Sequence, residues 1–173
     1  MQPTHSSRRI LQPVRSGFVL FSLIVALLLN LIPTGRFPGI PDWVALVLAF
    51  WCVREPLRVG MGAAFLLGLI MDVTQGALMG QHALAYVLLA FLVSSLSRRI
   101  LWFPLFQQAL HIFPMLLVMQ SAMVLARLLG GAEFPGWSIY LSSIVATLLW
   151  VPLNYLLLLP QFRPVEKDEN RPI

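Results

Sequence analysis

The hydrophobic positions of this chain form six long runs, separated by short stretches that contain proline, glycine or charged residues. The runs cover 17–32, 43–53, 59–71, 82–96, 103–128 and 137–159. Backbone polar groups in hydrocarbon must be paired within their own segment, so each run is predicted to form a helix. The second run is the shortest. It gives about 17 Å of helix against a hydrocarbon core of about 30 Å, so it needs support from its neighbours.

The composition indicates that lipid is the solvent of these helices. Of the 173 residues, 58% are hydrophobic and 11% are charged, and the mean hydropathy is +0.82. Soluble domains are about 45–50% apolar and about 25% charged, so a soluble enzyme or a disordered chain is excluded. Cys52 is the single cysteine, which excludes an intrachain disulfide. We therefore predict an all-α, polytopic integral membrane protein.

The basic residues predict the orientation of the spans. Six spans with both termini in the cytoplasm place ten basic residues inside and two outside, in agreement with the positive-inside rule. The inside group is Arg8, Arg9, Arg15, Arg54, Arg58, Arg98, Arg99, Arg163, Lys167 and Arg171, and the outside pair is Arg36 and Arg127. The alternative, one kinked span over 43–71, would put the basic C-terminal tail outside.

These spans divide the chain into three parts. We predict a six-helix transmembrane domain over 17–160, between a basic cytoplasmic tail at 1–16 and a charged cytoplasmic tail at 161–173. The net charge of +5 would suggest nucleic acid in a soluble protein. In a membrane protein it indicates orientation and contact with anionic lipid, so we expect no nucleic-acid partner.

The most informative segment is 60–84, where small residues recur every four positions. Gly60, Ala64 and Gly68 form a stripe on one helix face, along which another backbone can approach closely. The spacing continues through Asp72, Gly76 and Gly80, where we predict a break of the helix near residue 71 and a tight return into the next span. Two interpretations of Asp72 stay open. Its carboxylate either caps the turn or the fourth helix, or contacts a ligand or partner.

This segment resembles the family of the bacterial rod shape-determining protein MreD. The resemblance is carried by a short span that follows Pro41-Asp42-Trp43 and ends in Trp51 and Arg58, and by the glycine-rich hairpin. The hairpin positions are Gly62, Phe65, Gly68, Ile70, Asp72, Gly76, Gly80 and Leu84. The family implies a subunit of the cell-wall elongation machinery in the cytoplasmic membrane. It would work beside MreC, the actin-like MreB, and a synthase pair of an SEDS glycosyltransferase and a class B penicillin-binding protein.

The same resemblance extends to a six-helix layout like that of the membrane substrate-binding subunits of vitamin transporters. It carries over no catalytic residue and no cofactor. Arg54 and Arg58 either serve orientation and packing or form a docking surface for a cytoplasmic partner, and Asp72 and His82 are further candidate partner contacts. The spacing of His and Cys predicts no metal site.

The other polar residues of the spans are predicted to bond between helices. Gln107 and His111 are four residues apart in the fifth span and could pair with Asn154 or Ser142 of the sixth.

The first functional hypothesis is a non-catalytic scaffold or regulator of cell-wall elongation. The second is a small-molecule carrier subunit, which needs a central cavity lined by residues such as Asp72, Gln75, His82 or Gln120. The third is an enzyme acting on lipid-linked intermediates, for which Asp72 and His82 are the candidate pair.

Overall fold

The computed structural model describes residues 15–32 and 39–159, and every regular element in these ranges is helical. The six α-helices are α1 (Ser16–Leu31), α2 (Trp43–Arg54), α3 (Met61–Gln75), α4 (Gln81–Ile100), α5 (Leu105–Leu129) and α6 (Leu141–Leu158). A short 3-10 helix, Trp137–Tyr140, leads into α6. The predicted all-α class and the number of helices are confirmed. The predicted tails and Arg8, Arg9, Arg36, Arg163, Lys167 and Arg171 lie outside the described residues.

The stretch 43–71 forms two helices rather than one kinked span. A turn at 55–60, which contains Pro56, separates α2 from α3. The hydroxyl of Tyr86 in α4 bonds Asp42 at the start of α2, and the amide of His82 bonds Asp72 near the end of α3. Because His82 and Tyr86 lie one turn apart, α2 starts at the end of the bundle where α3 finishes. The two helices are therefore antiparallel.

The bundle has two chemically different ends. The end that contains Asn30, Asp42, Asp72, Gly80 and Arg127 is called the hairpin end. The opposite end, called the arginine end, carries Arg15, Arg54, Arg58, Arg98 and Arg99. This sorting agrees with the inside and outside groups predicted from the charges.

The short helix α2 occupies the middle of the bundle. Every side chain from Val44 to Val53 is buried, and α2 packs against α1, α4 and α6. The indole of Trp51 donates to the hydroxyl of Ser22 at 2.8 Å, which fastens α2 to α1. Within 15–32 and 39–159, three helical segments are long and apolar enough to cross a membrane: α4, α5, and the 3-10 helix together with α6. The shorter α2 is surrounded by protein, so its backbone does not need to match the bilayer thickness.

Two predicted details are corrected by the structure. Helix α3 continues to Gln75 instead of breaking near residue 71, because the helix ends only where Gly76 adopts a left-handed conformation, with φ of 60°. The proposed pairing of Gln107 and His111 with α6 is also wrong. The ring of His111 bonds the carbonyl oxygen of Gln107 in its own helix and stacks on Phe103.

The polar contact between α5 and α6 is made by Gln120 instead. Its amide donates to the Ser142 hydroxyl at 2.6 Å and accepts from the Ser143 hydroxyl. Gln120 is buried on the face of α5 that packs against other helices, whereas Gln107 lies exposed, off that face. The rotation of α5 about its own axis therefore decides which of its glutamines bonds α6.

Helices α3 and α4 form the most extensive contact in the bundle, and Gly68 is where their backbones come closest. A Cβ atom on Gly68 would lie 2.5 Å from the amide nitrogen of Ala83 and 2.7 Å from the carbonyl carbon of His82. Both are backbone atoms, which no rotamer change can move. A side chain at this position would therefore push α3 away from α4.

We expect Gly68→Ala to lower the free energy of unfolding in detergent by about 1–3 kcal/mol, because the added methyl group overpacks the contact. Gly62→Ala is the matched control. Gly62 lies in the same helix with nothing within 4 Å of its virtual Cβ, so alanine there should be neutral or stabilise by up to about 1 kcal/mol. Equal melting temperatures for the two variants would contradict the close approach.

Candidate functional site

Asp72 is the centre of the polar network at the hairpin end. Its side chain is 2% exposed. One carboxylate oxygen accepts from the amide and from ring nitrogen Nδ1 of His82, both at 2.8 Å. The other accepts from the amides of Gly80 at 2.8 Å and Ala83 at 3.4 Å. Both oxygens of the buried Asp72 carboxylate therefore accept hydrogen bonds from the protein itself.

These bonds cap the N-terminus of α4 from a different helix. Gly80 is the N-cap residue of α4 and has no side chain with which to cap it. The carboxylate of Asp72, projecting from the last turn of α3, takes that place. An anion is favoured there, because the first amides of a helix are unpaired and carry positive partial charge. Of the two interpretations of Asp72, the capping of the fourth helix is confirmed.

The glycines of the motif have different roles. Gly76 ends α3 with φ of 60°, and Gly80 precedes α4 with φ of 98°. Both conformations are rare for residues with a side chain, so these glycines form the return between the helices. Gly68 allows the close approach described above. The structure thus brings Gly68, Asp72, Gly76 and Gly80 together in one corner.

The other two motif positions, Gly60 and Ala64, lie at and near the start of α3. Ala64 is buried, and Gly60 is the N-cap residue of α3 at the arginine end. A Cβ atom on Gly60 would meet only the Pro56 carbonyl oxygen at 3.5 Å, an ordinary contact. Close backbone approach along the predicted stripe is therefore concentrated at Gly68.

A second carboxylate, Asp42, ties three helices together at the same end. Its oxygens accept from the Ala45 amide at 3.0 Å, the Asn30 amide group at 2.8 Å and the Tyr86 hydroxyl at 2.7 Å. The side-chain oxygen of Asn30 in turn accepts from the Trp43 amide at 2.9 Å. Asp42 thus caps α2 and joins α2 to α1 and α4.

Sequence reasoning did not identify this second network. Asp42 directly before an apolar run is a recognisable N-cap signal. Nothing in the sequence pointed to Tyr86, which comes 44 positions later in the chain. The ring of Tyr86 lies 5.9 Å from that of His82, so the two carboxylate networks are adjacent.

The four candidate partner contacts fall into two pairs at opposite ends of the bundle. Asp72 and His82 are buried at the hairpin end. At the arginine end, Arg54 lies over the ring of Phe50, 5.4 Å from its centroid. Arg58 has a side chain that is 46% exposed and lies 3.7 Å from Glu55. Arg58 is therefore the most exposed of these four residues.

A cavity of about 390 Å³ opens at the hairpin end between the α3–α4 turn and the C-terminal part of α5. Gln75 and His82, two of the residues expected to line a cavity, lie on its wall, together with Arg127. Gln120 is instead engaged with α6. Within 15–32 and 39–159, no group of three His, Cys, Asp or Glu side chains is arranged to hold a metal ion.

Comparisons with known proteins agree on one family. The family model for the rod shape-determining protein MreD matches residues 7–159. The rod shape-determining protein MreD of Haemophilus influenzae is 29% identical over 146 residues, which cover 81% of this chain and 87% of that protein. No solved structure gives a significant match. The chain belongs to the MreD family of rod shape-determining membrane proteins.

Proposed function

We propose that this protein is a non-catalytic scaffold or regulator of the rod-shape machinery, which directs lateral peptidoglycan synthesis through protein contacts. Its six helices cross the bacterial inner membrane, with the hairpin end outside and the arginine end and both tails in the cytoplasm. The proposal rests on membership of the MreD family. It also rests on the engagement of Asp72, whose carboxylate caps α4.

The observation that carries the proposal is the engagement of Asp72. A carboxylate that takes part in chemistry needs an oxygen within reach of the substrate. Both oxygens of Asp72 instead accept bonds from the start of α4. The Asp72 and His82 pair is buried in the same contact. These bonds support a structural role for Asp72 at the turn between α3 and α4, over the hypothesis of an enzyme that acts on lipid-linked intermediates.

The packing of α2 favours the scaffold over the carrier hypothesis. A carrier subunit of this size needs a ligand chamber among its helices. Here the middle of the bundle is filled by α2, with buried Phe50 and Trp51 and the neighbouring Trp150 of α6. The polar cavity lies at one end instead.

The proposed partners are those implied by the family resemblance. MreC is the first candidate, with MreB, the SEDS glycosyltransferase and the class B penicillin-binding protein in the same complex. The two ends of the bundle offer different surfaces to them. Leu57, fully exposed in the turn before α3, lies beside Arg58 at the arginine end. Met79, 76% exposed, lies in the turn at the hairpin end. We assign the first surface to cytoplasmic partners and the second to partners outside.

Deletion of the gene in a rod-shaped bacterium that carries this chain should produce rounded cells with disturbed lateral wall synthesis.

A photo-crosslinking residue at Leu57 should capture a cytoplasmic protein such as MreB, and one at Met79 should capture MreC, as identified by mass spectrometry. Samples without irradiation are the control. Unchanged rods after deletion would contradict the proposed role, and the absence of crosslinks at both turns would contradict the assigned surfaces.

The orientation can be tested by cysteine labelling in a Cys52→Ala background. We expect a membrane-impermeant maleimide to label Met79→Cys in intact spheroplasts and Leu57→Cys only in inverted vesicles, because the two turns lie at opposite ends of the bundle. Labelling of both cysteines from the same side would contradict the six-span arrangement.

A further inference from the structure

The cavity at the hairpin end is lined in part by polar side chains, among them two amides and one guanidinium that can donate hydrogen bonds. These are the side chains of Gln75, Gln81, His82 and Arg127. Apolar side chains, including Leu78, Met123 and Ile139, line the remainder. A volume of about 390 Å³ falls within the range of about 300–1,000 Å³ that small-ligand sites occupy. The lining is thus amphipathic.

Two of the polar side chains are nine-tenths buried, yet have bonding capacity that the protein does not use. Gln81 is 7% exposed, and no hydrogen bond to its amide group is formed within the described part of the chain. His82 is 6% exposed and has its Nδ1 on Asp72, so Nε2 is the ring nitrogen left for a ligand. The amide of Gln81 and Nε2 of His82 are not sealed off from solvent, and both residues line the cavity. A polar ligand that enters the cavity can therefore reach them.

The charge of the site identifies that ligand as an anion. Arg127 lines the cavity, and within 15–32 and 39–159 no carboxylate lies within ion-pair distance of its guanidinium. The carboxylate of Asp72 is held by His82 and by three amides at the start of α4, and it does not line the cavity. A guanidinium next to amide donors matches the geometry of a phosphate, which it can bind through two parallel hydrogen bonds.

The position of the cavity agrees with such a ligand. It opens where α3 and α5 end and α4 begins, which in a membrane-spanning bundle is the level of the lipid headgroups. With a phosphate bound by Arg127, the lining residues Leu78 and Met123 would be available to contact an attached glycerol or acyl chain. We propose that this cavity binds a phosphate group, carried either by a phospholipid headgroup or by a soluble phosphate ester. The site goes beyond the proposed scaffold role and does not depend on it.

The test is the thermal stability of the full-length protein in detergent, because a ligand that binds the folded state raises the melting temperature by mass action. The lipid probe is dioleoyl phosphatidylglycerol, with dioleoylglycerol as the lipid that lacks phosphate. The soluble probe is glycerol 3-phosphate, with glycerate as its carboxylate counterpart. Stabilisation by the phospholipid alone assigns the ligand to a lipid, and stabilisation by glycerol 3-phosphate assigns it to a soluble ester.

Arg127→Gln should raise the concentration of the effective probe needed for half the shift at least tenfold, since a charge-assisted bidentate contact is lost. Gln81→Glu should weaken binding similarly by placing a negative charge in the cavity, and it keeps the test open if Arg127→Gln does not fold. Arg99→Gln removes the same charge at the arginine end and should retain the wild-type response.

Three results would overturn the proposal. The first is no shift of the wild-type protein with either phosphate probe. The second is an equal shift in the wild-type, Arg127→Gln and Gln81→Glu proteins. The third is a shift of equal size with dioleoylglycerol or with glycerate, which would show that the phosphate group is not what the cavity recognises.

Discussion

The fold depends on one electrostatic contact, between the carboxylate of Asp72 and the unpaired amides at the start of α4. A helix that starts within or near hydrocarbon has amide groups that no water satisfies, and each unpaired group is costly. Gly80, the N-cap residue of α4, has no side chain that could cap the helix, so the carboxylate of Asp72 in α3 supplies the acceptors. Hydrogen bonds to a charged group contribute about 1.5–3 kcal/mol each.

A second constraint follows from the length of α2. A helix of 12 residues cannot cross the hydrocarbon region alone. It is accommodated because α1, α4 and α6 surround it, while Asp42 caps its N-terminus and holds Asn30 and Tyr86. The two carboxylates both join helices at the hairpin end. Asp42 caps its own helix and bonds side chains of α1 and α4, whereas Asp72 of α3 caps α4 and bonds His82 of that helix. The hairpin end is thus a polar layer above an apolar core.

The sequence predicted the helices well, because apolar runs interrupted by proline and glycine determine where helices can form in lipid. The capping of a helix was one of the two roles that the sequence left open for Asp72. The sequence could not predict which residues would meet between helices. Gln120 rather than Gln107 bonds α6 because of the rotation of α5 about its axis, and Tyr86 reaches Asp42 because α2 packs on α4. Both facts depend on tertiary packing, which a single sequence does not encode in a readable pattern.

The free energy of unfolding of the Asp72→Asn variant in detergent tests the central contact most directly. Asparagine keeps the size of the side chain but turns one acceptor into a donor that faces the amides of α4. The Asp72 contact predicts a loss of about 3–5 kcal/mol, the usual effect of breaking a buried charged network. Glu133→Gln removes an exposed carboxylate from the same end and should stay within about 0.5 kcal/mol of wild type. Equal stabilities of the two variants would contradict the role given to Asp72.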